Sequence, residues 1–107
     1  MSQKRIQQIE RRVARIKEGL QKMGPMRPGS LTRQYRDPEK SAGAYWQISY
    51  TRQMKSRTEY VRREWVTEIR KQIARHKRFK RLIDQWVDLS IEHSQLAMKI
   101  AKTKGSK

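Results

Sequence analysis

The longest stretch without a helix-breaking residue is the feature that most limits how this chain can fold. From Glu64 to Lys102 the sequence contains neither proline nor glycine, the two residues least compatible with a helix interior. Apolar residues recur along it at helical spacing, from Val66 to Ile100. We therefore predict one helix over 64–102, followed by a basic tail at 103–107. Helices of this length usually belong to helical hairpins or coiled coils.

A second helix is predicted at the start of the chain, over 1–23. Its apolar residues alternate at spacings of three and four, the a/d pattern of a helix that packs on another helix. Gly24 and Pro25 end it. The distal half of the long helix is the expected partner, and pairing with a second copy of the chain stays open as the alternative. The residues assigned to helix pairing are Ile6, Ile9, Val13, Ile16, Leu20, Trp86 and Leu89.

Between the two helices, over 24–63, the pattern changes from helix to strand. After a linker rich in glycine and proline come "LTRQYR", "AYWQISYT" and "SRTEYV", which are rich in aromatic and β-branched residues and are separated by turn-length gaps. We predict a three-stranded antiparallel meander and hence one α+β domain overall. In the middle strand Trp46, Ile48 and Tyr50 share the face expected to be buried, and Tyr45 and Gln47 share the polar face.

The segment "RKQIARHKRFKR", residues 70–81, has seven cations and no acidic residue. Like charges one helical turn apart repel each other. A helical projection places all of them except Lys80 opposite the apolar side formed by residues such as Ile69, Ile73 and Trp86. A solvated face without a ligand is the usual alternative for such a run. In a chain of net charge +17 we expect phosphate contacts instead, from Arg70, Lys71, Arg75, Lys77, Arg78 and Arg81.

The polar face of the sheet is the second candidate for nucleic-acid contact. A sheet can enter the major groove, where Gln47 and Arg57 could reach base edges, and Tyr45 could stack on a base of a single strand. Arg33 and Arg57 join this face only if the strand register places them there, and the sequence does not determine the register. The alternative is an ordinary solvated face.

Several blocks of the chain resemble a known family. "RPGSL", "AYWQISYT" and "KSRTEYV", followed by "VTEIRKQIARHKRFKRLIDQWVDLSIE", are similar to small prokaryotic proteins of unknown function that are often encoded near transposases and other mobile elements. The resemblance covers roughly residues 20–97 and implies a mobile-element or defence setting. Family members commonly carry a Cys-rich loop between the first two strand blocks. Here that loop reads "RDPEKSAG", so no metal or redox role is carried over to it.

Other classes of function lack their sequence signatures. The chain has no cysteine, no Gly-rich phosphate loop and no nucleophile elbow, so we predict no enzymatic activity, no metal site and no cofactor. It also has no signal peptide, long apolar run or lipidation motif. We therefore expect no membrane partner and a cytoplasmic location in a prokaryote, with association with the nucleoid left open.

These features predict a non-enzymatic nucleic-acid-binding protein that contacts the phosphate backbone, with double-stranded DNA slightly favoured over RNA. The alternative is a helical adaptor subunit of a larger nucleoprotein complex, joined through its helices. Self-association through the same helices is a further alternative that the sequence leaves open.

Overall fold

The computed structural model describes residues 2–105 and confirms the predicted α+β fold, with an N-terminal helix, a three-stranded antiparallel sheet and a long C-terminal helix. One turn of 3₁₀ helix, Arg63–Trp65, connects the sheet to the second helix. In chain order the elements are α1 (Ser2–Gln21), β1 (Ser30–Asp37), β2 (Ala42–Arg52), β3 (Lys55–Val61) and α2 (Val66–Gly105).

The element ends differ from the predicted ones by a few residues. α1 ends at Gln21, ahead of Gly24 and Pro25. α2 begins at Val66 and continues through Gly105, because nothing in residues 103–105 forces a helix to stop before the glycine. The first part of the predicted basic tail is therefore helical, and residues 106–107 lie outside the described residues.

The chain divides into two compact units, which α2 shares. Unit 1 comprises Met1–Met23 and Phe79–Lys107, and unit 2 comprises Gly24–Arg78. Each is described by itself below. The prediction of one domain overall stays a prediction.

Unit 2 is built on a core between one face of the sheet and the start of α2. Ile48 is fully buried at its centre. Strand alternation sends Ile48 and Trp46 to the same side, and helical spacing directs Ile69 and Ile73 toward them. The buried cluster consists of Ile48, Val61, Val66, Ile69 and Ile73, with Leu31 and Trp46 packed against it.

The strand register decides which polar residues share a face. In the order β1-β2-β3, Thr32 lies opposite Gln47, and Gln47 lies opposite Tyr60. Directly opposed residues of antiparallel strands point to the same side. The side opposite the core, which we call the outer face, therefore carries hydroxyl, amide and phenol groups and no charge across its paired centre. Its residues are Ser30, Thr32, Gln34, Tyr45, Gln47, Ser49, Thr51, Ser56, Thr58 and Tyr60.

A two-residue turn determines the register of β2 with β3. Arg52 pairs with Lys55, and the residues between them, Gln53 and Met54, have φ values of 52° and 66°. Positive φ at both central residues is characteristic of a type I′ turn, which matches the twist of a hairpin. Asparagine and glycine usually fill these positions, so this turn holds two side chains in a backbone region that disfavours them.

Replacing Met54 by glycine is expected to stabilise the hairpin by about 0.5–1 kcal/mol. The left-handed backbone costs a non-glycine residue about 1–2 kcal/mol, and the greater freedom of glycine in the unfolded chain offsets about half of that. The Met54 side chain is 99% exposed, so its removal costs no packing. The midpoint of urea unfolding measures the gain. Met54→Ala is the matched control, because it removes the same side chain but keeps Cβ. An equal gain in both variants would contradict the turn strain.

Unit 1 is an antiparallel pair of helices, α1 and the distal part of α2. Ile9, Ile16 and Leu89 form its buried cluster, against which Val13, Leu20, Leu82, Trp86 and Leu96 pack. Of the residues assigned to helix pairing, Ile6 alone stands outside this cluster and is half-buried. The pairing takes place within one chain, so it leaves Ile9 and Ile16 no surface to offer a second copy.

A charged contact joins the two helices near the start of α1. Arg5 donates two hydrogen bonds to the Glu92 carboxylate, at 2.6 and 2.8 Å, and these bonds lower the pKa of Glu92 below its ordinary value. On α2, Asp84 and Asp88 precede Glu92 by two turns and one turn. Both are exposed, and neither forms a salt bridge with another residue in the described part of the chain.

Candidate nucleic-acid interface

Four exposed cations of unit 2 occupy one side of α2. They are Arg70, Lys71, Lys77 and Arg78, and we call them the cationic face. Because successive residues of a helix are rotated by about 100°, these four lie within an arc of about 120°. Ala74 is at the middle of that arc and is also exposed. Its small side chain leaves open space between the pair Arg70 and Lys77 and the pair Lys71 and Arg78.

The cationic face is not neutralised by salt bridges within residues 2–105. None of its four residues forms a salt bridge there. Lys71 comes nearest, because its charge contributes to the lowered pKa of Glu68, although the larger cause is a hydrogen bond that Glu68 accepts from Gln72. Apart from the attraction between Lys71 and Glu68, the mutual repulsion of these cations is relieved by solvent and counterions, or by an anionic ligand.

Arg70 differs from the other three in its contact with the sheet. Its guanidinium carbon lies 5.1 Å from the centre of the Trp46 ring, within the range of a cation–π interaction. The stacking orients the guanidinium without using its charge in a salt bridge. Arg70 therefore remains available to an anion.

Arg75, which the sequence assigns to phosphate contact, is not part of this face. Its Nη1 donates to the backbone carbonyl of Pro25 at 2.9 Å and lies 3.4 Å from Glu68 Oε2. The side chain is about two-thirds buried. The helical projection could not show this, because the linker that covers Arg75 comes from a distant part of the sequence. Arg75 attaches the linker to α2.

Arg81, the last of the predicted phosphate ligands, belongs to unit 1. It is exposed and, within the part of the chain that the structure describes, forms no salt bridge. Lys80, the one cation predicted to fall on the apolar side, is exposed as well. The whole segment 70–81 lies within α2.

The structure separates the three residues predicted to contact bases. Tyr45 and Gln47 lie on the outer face, whereas Arg57 lies opposite Tyr50 and so belongs to the core side of the sheet. Arg33 lies opposite Trp46 and is on the core side too. The register therefore does not meet the condition under which Arg33 and Arg57 would join Gln47 on the outer face. The two-residue turn determines which residues of β3 face the core side. It places the charged residues Lys55, Arg57 and Glu59 there.

A polar network occupies that side of the hairpin. The Tyr50 hydroxyl donates to Glu59 Oε1 at 2.6 Å, and Arg27 of the linker donates to the same oxygen at 3.0 Å. These two hydrogen bonds, with that from Tyr50 the larger cause, lower the pKa of Glu59 below its ordinary value. Arg27 also lies over the Tyr50 ring at 5.0 Å. Glu59 is thus satisfied locally and forms no salt bridge with the cationic face.

The sequence analysis missed Tyr60 and Arg63, two exposed residues beside the start of α2. Both lie in the run "EYVRREW", residues 59–65, where aromatic side chains alternate with arginines. Such interleaving is a signal of nucleic-acid contact. The sequence marks Tyr60 only as a strand-forming residue, because the face on which it lies depends on the register.

The described part of the chain lacks two features. Residues 2–105 contain no group of three or more side chains that could hold a metal ion. In the same range, no helix combines the length and the apolar character that crossing a membrane requires.

Comparison with known proteins identifies a family. The model of a family described as a domain of unknown function, DUF6788, matches residues 2–71. No curated protein and no solved structure matches significantly. The matched range includes α1, the sheet and the first residues of α2.

Proposed function

The chain belongs to the DUF6788 family, a domain of unknown function, and we propose that it binds nucleic acid without catalysing a reaction, through contacts with the phosphate backbone. One observation carries this proposal. Arg70, Lys71, Lys77 and Arg78 are exposed on one side of a continuous helix and form no salt bridge within residues 2–105.

A phosphate polymer suits this face better than isolated anions do. Residues seven apart lie almost above one another on a helix, about 10 Å apart along the axis, so Arg70 with Lys77, and Lys71 with Arg78, form two rows. Each row can contact successive phosphates of a strand while Ala74 leaves room between the rows. Neutralising these phosphates releases condensed counterions, which supplies the free energy of binding.

Double-stranded DNA is the favoured form. The wide major groove of B-form DNA admits an α-helix, whereas the deep, narrow major groove of an RNA duplex does not. The resemblance of the sequence to proteins encoded near mobile elements extends the proposal to a mobile-element or defence setting. The protein would then act in the cytoplasm or on the nucleoid, where its ligand is found.

The salt dependence of binding tests the proposal. A labelled DNA duplex is titrated with the full chain by fluorescence polarisation between about 50 and 200 mM salt. For four phosphate contacts we expect log K to fall against log salt concentration with a slope of about −4. Absence of binding at the lowest salt concentration, or a slope close to zero, would contradict phosphate-backbone recognition.

A second candidate is the helical adaptor of a larger nucleoprotein complex, favoured by an exposed apolar stripe in unit 1. Val87, Ile91 and Met98 are each more than half exposed and, with Ile83, line a groove of about 580 Å³. The occupant would be a partner helix with an apolar stripe and a basic flank, to match the exposed carboxylates of Asp84 and Asp88 beside the groove.

The exposed groove, and not the buried pair of helices, supplies the residue that tests the adaptor candidate. Ile9 and Ile16 are buried against Leu89 and so cannot receive a partner. Ile91→Glu, in the open groove, is the suitable variant. At about 1 M salt, charges are screened within about 3 Å. If the chain stays associated with a partner protein under these conditions, and Ile91→Glu abolishes that association, the adaptor function is favoured over the phosphate-binding function.

A further inference from the structure

A cleft opens where the sheet ends beside the start of α2. β3 stops at Val61, while β2 continues past its partner to Ala42. The first residues of β2 therefore have no third strand beside them. The cleft has a volume of about 300 Å³, and its walls are formed by Arg33, Ala44, Tyr45, Trp46, Tyr60, Val61 and Arg63.

The walls combine aromatic rings with positive charge. Tyr45 and Tyr60 project from the outer face of the sheet, and Trp46 from the core side. Tyr60 is 67% exposed, so its ring is available to stack on a ligand. Arg33 and Arg63 are exposed cations, and no acidic side chain lines the cleft. A ligand that fits both properties has a flat apolar ring joined to an anionic group.

We propose that this cleft binds an unpaired nucleobase of a nucleic-acid strand, stacked on Tyr45, Trp46 or Tyr60, with the adjoining phosphates held by Arg33 and Arg63. Aromatic side chains are the usual platforms for unpaired bases. A volume at the lower end of the range for small-molecule sites suits one ring system rather than a larger ligand.

Arg70 connects the cleft to the cationic face. Its guanidinium stacks on the Trp46 ring at 5.1 Å, and Trp46 lines the cleft. A strand whose backbone runs along Arg70 and Lys77 can therefore place a neighbouring unpaired base in the cleft. This inference rests on the proposed function and narrows its ligand to a duplex that contains an unpaired nucleotide, such as a bulge or a junction with a single strand.

Paired and bulged duplexes test the inference. The affinity of the full chain is measured for a paired duplex and for the same duplex with one bulged nucleotide. We expect tighter binding of the bulged duplex, and we expect Tyr60→Ala to reduce that preference about 5- to 150-fold, the range for loss of one stacked base. Tyr60→Phe keeps the ring and should keep the preference.

The fluorescence of Trp46, which lines the cleft, tests base binding directly. It would not distinguish the two duplexes if the cleft residues had only a structural role. Trp65→Phe with Trp86→Phe leaves Trp46 as the one tryptophan of the chain. We expect the bulged duplex to quench its fluorescence more strongly than the paired duplex does. A free mononucleotide should not compete at micromolar concentration. Competition there would make a free nucleotide the ligand and overturn binding of a base within a strand.

The remaining outcomes separate this inference from the function on which it rests. Equal binding of both duplexes, unaffected by Tyr60→Ala, would overturn the cleft assignment and leave phosphate binding by the cationic face intact. Failure to bind any oligonucleotide would overturn the proposed function and this inference with it.

Discussion

Replacing both Lys71 and Arg78 by glutamate is expected to lower the affinity for a DNA duplex by at least a hundredfold at low salt. These residues lie in one row of the cationic face, and each would lose a charge-assisted hydrogen bond to a phosphate, an interaction of about 1.5–3 kcal/mol. The new carboxylates would also repel the backbone. Two fewer phosphate contacts should make the slope of log K against log salt less negative by about 2.

A matched control separates the position of the charges from the total charge. Arg11→Glu with Arg15→Glu changes the net charge by the same amount, and both residues are exposed on α1 in unit 1. We expect this variant to lose much less affinity than the Lys71 and Arg78 variant. Its slope of log K against log salt concentration should stay close to that of the wild type. Equal losses in the two variants would show that binding is spread over the basic surface and is not localised to the cationic face. Arg75 is unsuitable for either variant, because it holds the linker.

Replacing Gly29 by alanine is expected to destabilise unit 2 by about 3 kcal/mol. Gly29 directly precedes β1 and has a φ of 135°, which side-chain-bearing residues rarely adopt. A Cβ at this position would lie 2.9 Å from Ile48 Cγ1 and 2.9 Å from the Ser49 carbonyl oxygen. Ile48 is fully buried and Ser49 contributes backbone, so neither can move away cheaply. Backbone strain and overpacking each cost about 1–3 kcal/mol.

Thermal unfolding measures this effect. A loss of about 3 kcal/mol corresponds to a fall in Tm of roughly 12–24 °C in a domain of this size. Gly24→Ala is the matched control, because the nearest atoms to its Cβ belong to the flexible end of Arg75 at 3.6 Å. We expect the control to be neutral or slightly stabilising, since alanine restricts the unfolded chain. A Gly29→Ala variant with the same Tm as the wild type would refute the close approach between the linker and β2.

The architecture could be predicted because local signals agree with the fold. The absence of proline and glycine from 64 to 102, the a/d seam of α1 and the break at Gly24 and Pro25 depend on neighbouring residues alone. The order of strands followed from turn-length gaps. These features are encoded within a few residues of one another, so no tertiary information was needed to recognise them.

The arrangement of the apolar side of α2 was harder to predict. One helical projection grouped Ile69, Ile73, Ile83 and Trp86, yet the structure divides them. Ile69 and Ile73 join the core of unit 2, Trp86 packs in unit 1, and Ile83 lines an open groove. A projection shows which residues share a side of a helix, but it does not show where along the axis one packing partner ends and another begins.

The candidate site was predictable only where it depends on one helix. Arg70, Lys71, Lys77 and Arg78 emerge as exposed because the spacing of the cations is a property of α2. The sequence does not show that Arg75 lies outside the cationic face. That follows only from the hydrogen bond that the Pro25 carbonyl accepts from it. Arg57 and Tyr60 could not be assigned to faces before the register was known, and the cleft depends on both the register and the point where β3 ends.

The length of the turn at Gln53 and Met54 therefore controls the chemical character of the sheet. A single inserted residue that shifted the pairing of β3 by one position would exchange its two sides. Val61 would leave the core for solvent, and Arg57 and Glu59 would bring charge to the paired centre of the outer face, which now carries none. An evolutionary insertion here would alter what the sheet can recognise without any substitution in its strands.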